Sequence, residues 1–140
     1  MSYLLILKII NIGYYFTKII EQDSIDQAIE LLNSKLAEQG FGIISEIKVN
    51  EIFKNKLNKD FRPYRILGAC HPEYAYKAIS FENKIGTMLP CNFVVQELES
   101  GDIEISAVDP AASMSSVNNE SLKDIAETVR NKIKTIVKNL

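Results

Sequence analysis

The segment Phe61-Arg62-Pro63-Tyr64-Arg65-Ile66-Leu67-Gly68-Ala69-Cys70-His71-Pro72 is the place from which the architecture is read. Between Tyr64 and Cys70 the side chains alternate: Tyr64, Ile66, Gly68 and Cys70 on one side, Arg65, Leu67 and Ala69 on the other, which is the period-two pattern of a strand. Pro72 suits the first position of a helix, because the N–H that proline lacks is one a helix start leaves unpaired anyway. Tyr74, Ala75, Ala78 and Ile79 continue that helix at the expected spacing. A strand that runs directly into a helix implies an alternating chain, and the flanking sequence fits one.

Upstream, Tyr14 to Ile20 is rich in β-branched and aromatic residues and reads as a first strand. Ser24 opens a capping box with Gln27, and Ile25, Ile29, Leu32 and Leu36 form a helical stripe that Gly40 stops. Phe41 to Val49 follows as a strand, with Ile43, Ile47 and Val49 on one face, and Asn50 is placed to cap a short helix through Leu57. Downstream, Met88 to Leu98 and Ile103 to Asp109 read as a hairpin turning at Ser100 and Gly101, with Phe93, Val95, Ile103, Ile105 and Ala107 facing the core. A last helix from about Ser121 to Leu140 buries Leu122, Ile125, Ala126, Val129, Ile133 and Val137, with acids early and bases late as the helix dipole favours. The order is β-α-β-α-β-α-β-β-α: an α+β domain over residues 14–140, with a mostly antiparallel sheet and helices packed on one face.

With 140 residues, 46% of them hydrophobic and 24% charged, the chain has the composition of a globular domain able to bury its own core. A net charge of -2 and a pI near 5.5 argue against nucleic-acid binding as its main task. Charge is nonetheless segregated: six bases lie between Lys48 and Arg65 against Glu51 and Asp60, and five acids with no base lie between Glu97 and Asp109. Residues 1–13 form an N-terminal extension whose apolar part, Leu4 to Ile12, is broken by Lys8, is too short to cross a bilayer and lacks the features of an export signal. Two cysteines make no disulfide framework, and a cytoplasmic location is expected.

The segment Phe61 to Pro72, taken with Gly86-Thr87-Met88-Leu89-Pro90-Cys91-Asn92, Ala107-Val108-Asp109-Pro110, Gly40-Phe41-Gly42 and Lys56-Leu57, resembles the family catalogued as domain of unknown function 302. The resemblance runs from about Tyr14 to the C-terminus. It implies a compact β-α-β domain similar to the TATA-binding-protein-like class, commonly a homodimer, and implies no reaction. The sequence departs from the family pattern in its first 13 residues and at His71, where the family more often has Asn or another residue, so His71 alone supports no mechanism.

Chemistry concentrates at the ends of two strands. Cys70 closes one strand just before a helix start, where free N–H groups and the helix dipole favour a thiolate or an anion. Cys91 opens the next long strand. Antiparallel neighbours would bring these ends together; parallel strands would hold them on the order of 20 Å apart, and the antiparallel arrangement is favoured. Cys70, Cys91 and His71 then offer soft ligands for zinc or copper, or the two thiols a reversible disulfide, against the commoner outcome of two buried small hydrophobes. Arg62, Tyr64 and Arg65 around Pro63, with Asn92, are candidates to clamp a small anion, or else to pin a loop. Asp109 is expected to cap the turn at Pro110. The leading expectation is a binding domain for a metal ion or small anion near Cys70, Cys91 and Arg65. The alternatives are an enzyme or redox protein using Cys70 and a dimeric interaction subunit whose apolar N-terminal arm takes part.

Overall fold

The computed structural model describes residues 8–140. Strands β1 (Ile10–Ile12) and β2 (Tyr15–Ile20) lead into helix α1 (Ile25–Glu38). Then follow β3 (Gly42–Lys48), α2 (Val49–Leu57), β4 (Tyr64–Cys70), α3 (Pro72–Phe81) and a 3-10 turn at Ile85–Met88. The chain ends with the hairpin β5 (Cys91–Glu97) and β6 (Ile103–Val108), the single turn α4 (Pro110–Ser113) and α5 (Glu120–Lys138). Six strands form one sheet in the order β1-β2-β6-β5-β4-β3. Every pairing in it is antiparallel. The α+β expectation and its order of elements hold; the sheet gains β1 from the last residues of the expected N-terminal extension, whose residues 1–7 lie outside the described residues.

Helices α1 and α5 cover one face of the sheet. Phe16, Leu67, Phe93, Ile103 and Ile105, all essentially inaccessible, meet Leu32, Leu36, Ile133 and Ile136 there. Burying such side chains contributes about 1.5–3 kcal/mol each and outweighs any local propensity. The local signals that delimit α1 operate as their residues dictate. Ser24 Oγ accepts from the Gln27 N–H at 3.2 Å, and Gln27 Oε1 accepts from the Asp23 N–H. At the other end Gly40 takes the left-handed φ of +83° that a side chain disfavours, and the Phe41 N–H closes on the Leu36 carbonyl at 2.9 Å.

Three expectations change. Ile43 stands opposite Ala69 but Ile47 opposite Ile66, because a bulge between Ile43 and Ser45 inserts Ile44; the two isoleucines therefore face opposite sides of the sheet, not one. Asn50 does not cap α2, which starts a residue earlier. Its Oδ1 instead accepts from the Tyr64 N–H at 3.2 Å and from Arg65 at 2.7 Å, tying α2 to β4. The segment expected as a strand from Met88 begins pairing only at Cys91, after the 3-10 turn and a cis Leu89–Pro90 peptide.

Two charged side chains are buried as structural ties. Lys18 occupies a core-facing position of β2 and donates to the Lys138 carbonyl at 3.0 Å and the Leu140 carbonyl at 2.6 Å, at the C-terminal end of α5; burial lowers its pKa. Asp109 caps α4 as expected, accepting from the Ala111 N–H at 3.0 Å, and also accepts from Arg130 Nε at 3.0 Å. Among the described residues no helix packs across the other face of β2, β5 and β6. Across β2, β4, β5 and β6 its outward positions hold a single charged side chain, Glu104.

Candidate functional site

The pairing of β4 with β5 sets Ala69 opposite Cys91, so the end of one strand lies beside the start of the other and both cysteines come to the same corner. Cys70 is half-buried and Cys91 buried, and both are free thiols. Directly after Cys70 the chain turns into α3, which packs on α5. A cavity of about 300 Å³ lies between these helices and the strand ends. Phe41, Tyr74, Ala78, Leu89, Met114 and Val129 form much of its wall. Cys70, Cys91, His71 and Tyr74 are the lining residues whose side chains carry polar groups.

Two glycines let the corner close. A Cβ at Gly68 would come 2.6 Å from Pro90 Cγ and would collide with Ser45 Oγ, so only glycine lets Pro90 lie across β4 at this point. A Cβ at Gly40 would come 2.7 Å from His71 Nε2. His71 is thereby held as part of the wall, its ring 5.2 Å from Phe41 and 4.5 Å from Tyr74. Its Nδ1 is buried with no hydrogen-bond partner among the described residues, and its side chain makes no cap to α3.

Burial pushes the Cys91 thiol up to about 11, and the neighbouring Cys70 adds to the effect. At neutral pH Cys91 is therefore a protonated, weakly polar lining group. Cys70, His71 and Cys91 are not gathered into a metal-holding set: among the described residues no group of three or more His, Cys, Asp or Glu side chains is so arranged.

The residues expected to clamp an anion do not gather at the cysteines. Arg65 lies at the far end of β4, five residues from Cys70 and so roughly 16 Å away at about 3.3 Å per residue. Its guanidinium donates to Asn50. Arg62 Nε donates to Gln96 Oε1 at 2.7 Å and the guanidinium lies over the Phe61 ring at 4.4 Å. Tyr64 and Asn92 line a separate groove of about 410 Å³ on the helix-free face of the sheet. A ligand near Cys70 and Cys91 thus has no contact with Arg65. Alternation already placed Tyr64 and Arg65 on opposite faces; that Phe41, Met114 and Val129 meet the cysteines was not legible, because they come from three distant segments.

This fold and corner define a small α+β domain with an apolar strand-end cavity. Residues 16–140 match the family described as Domain of unknown function DUF302, and the chain belongs to it, as the motifs implied. It is similar to the crystal structure of an uncharacterized conserved DUF302 protein from Bacillus stearothermophilus, with a TM-score of 0.82 and 26% identity over 90% of this chain and 97% of that one. None of the curated proteins matches it.

Proposed function

We propose that this chain is a small-molecule-binding domain whose site is the strand-end cavity at Cys70 and Cys91. One observation carries the reading: the segments that bear the family resemblance meet there. Phe41 comes from Gly40–Gly42, Cys70 and His71 from the segment ending at Pro72, Leu89 and Cys91 from the segment starting at Gly86, and Pro110 from the last motif. The volume is at the lower end of ligand sites, about 300 to 1,000 Å³. Amide NMR spectra recorded against a panel of apolar, anionic and amphipathic fragments test the reading. Shifts are expected at residues 69–74, 89–91 and 125–129; shifts scattered over the surface, or none, would reject it.

A zinc or copper ion on Cys70, His71 and Cys91 is the less supported form of the same reading, since among the described residues no three such side chains are arranged to hold one. Zn(II) titration of the wild type against a Cys70→Ser/Cys91→Ser double variant decides it, and equal binding rules it out. Thiol chemistry would fall to Cys70, the more exposed sulfur.

A homodimer through the helix-free sheet face is a second reading, supported by the depletion of charge there. Tyr15, Ile19, Val94, Ile66 and Tyr64 share the outward positions with the uncharged polar Thr17, Asn92, Gln96 and Ser106 and the single acid Glu104, a face as poor in charge as the centre of an interface. Light scattering should then give twice the chain mass for the wild type and the chain mass for Val94→Lys. A monomeric wild type at about 100 μM, a concentration well above ordinary dimer dissociation constants, rejects it.

A further inference from the structure

The walls of the cavity constrain what it takes. About 300 Å³ is roughly twice the ~150 Å³ cavity known to hold benzene, and at about 30 Å³ per water-sized group it accommodates no more than about ten such groups. No lining residue is an acid, lysine or arginine. A charge placed inside would lose its hydration and meet no opposite charge on the walls, at a cost of several kcal/mol. The interior therefore selects a neutral, apolar group.

The rim is different. Ile44, the residue inserted by the β3 bulge, lines the cavity although it is 64% exposed, and Ile79 of α3 does so at 46%. A bulge re-aims a side chain, and here it leaves an isoleucine at an opening where solvent gives it no reason to be. Two ammonium groups lie over the ring of Tyr74, another wall residue: Lys77 Nζ at 5.6 Å and Lys132 Nζ at 6.0 Å from the centroid. Lys77 is partly neutralised by Glu73 at 3.4 Å, whereas Lys132 has no ion-pair partner among the described residues. Apolar walls, exposed isoleucines and cations beside one wall residue match a molecule of two parts.

We propose that the ligand is a short amphiphile, with an apolar tail of roughly eight methylene-sized groups in the cavity and an anionic head beside Lys132. The inference rests on the cavity being a binding site and adds the class of ligand. A carboxylate head gains Lys132 without leaving water, and the tail exchanges water for the walls.

Octanoate, octanol and acetate separate the two parts, titrated by calorimetry or NMR at low ionic strength into the wild type, Lys132→Met and Ala126→Phe. Ala126 lines the cavity and a phenyl ring there fills it; Ala75→Leu serves the same purpose should Ala126→Phe not fold. Octanoate is expected to bind roughly five-fold more tightly than octanol, as a partly exposed ion pair allows, and acetate not measurably. Lys132→Met should reduce octanoate to the affinity of octanol and leave octanol unchanged; the cavity-filling variant should lose both. Octanol equal to octanoate, with both lost on filling the cavity, overturns the anionic head and leaves the binding site standing. Acetate equal to octanoate overturns the tail. No binding of any of the three at millimolar concentration, or binding unaffected by filling the cavity, overturns this inference; whether the site itself survives is then decided by the fragment panel.

Discussion

Alkylation of Cys91 provides a quantitative test of the corner. In a Cys70→Ala variant only one thiol remains, and desolvation, the larger cause of its raised pKa, is retained. The native pKa of about 11, against the ordinary 9.0, sets an upper bound for the variant, which keeps desolvation but loses the Cys70 contribution; at that bound the ionised fraction at pH 8 falls roughly a hundredfold. A more basic thiolate is also a better nucleophile, by roughly eightfold over this interval at a Brønsted slope of about 0.4–0.5, so ionisation alone leaves the native thiol roughly tenfold slower. Access slows it further, because Cys91 is 7% exposed. The assay is the pseudo-first-order rate of iodoacetamide labelling at pH 8, read by intact mass, for the folded variant and for the same variant unfolded in urea. A folded rate at least tenfold below the unfolded one is expected, and in the wild type the single adduct should lie on Cys70. Folded and unfolded rates within threefold would refute both the burial and the neutral interior on which the ligand class depends.

Gly68→Ala should destabilise the fold by about 1–3 kcal/mol in urea titrations, because a Cβ there meets Pro90 and Ser45; an unchanged midpoint would show that the corner is loose. Asp109→Ala removes an α4 cap and leaves Arg130 without its buried partner, for an expected loss of about 2–4 kcal/mol. Stability against pH separates two buried groups of opposite sign. The folded pKa of Cys91 lies above its unfolded value, so its contribution is complete below about pH 9 and is lost as pH rises towards 11, on the order of 2 kcal/mol. The folded pKa of Lys18 lies below 10.5, so its contribution rises with pH in the alkaline range. Cys91→Ala should therefore flatten or reverse the alkaline loss and Lys18→Met steepen it; parallel profiles for wild type and both variants would contradict the assignment.

Where several local signals agreed, the sequence was a reliable guide. The strand–helix junction at Cys70–Pro72, the Ser24–Gln27 box, the Gly40 stop and the stripe of α5 each combine periodicity with a cap or breaker, and each element stands where those residues put it. The failures have specific causes. The bulge at Ile44 is invisible to a period-two count, which silently keeps Ile43 and Ile47 in phase. Asn50 has the chemistry of a cap, yet the β4 backbone and Arg65 compete for the same carbonyl oxygen and win. No local signal assigns Lys18 a role, and only the carbonyls at the end of α5, some 120 residues away, account for its burial.

By itself the amino-acid sequence determined the order of elements and the family, because each depends on short-range spacing or on a contiguous motif; it favoured the antiparallel pairing that brings Cys70 and Cys91 to one corner without fixing it. Only the tertiary structure shows what surrounds that corner. Whether two thiols and an imidazole make a metal site, an anion clamp or the wall of an apolar cavity depends on side chains that arrive from Phe41, Met114 and Val129 and on cations from α3 and α5. Such encounters are set by packing between distant segments, and no local pattern encodes them.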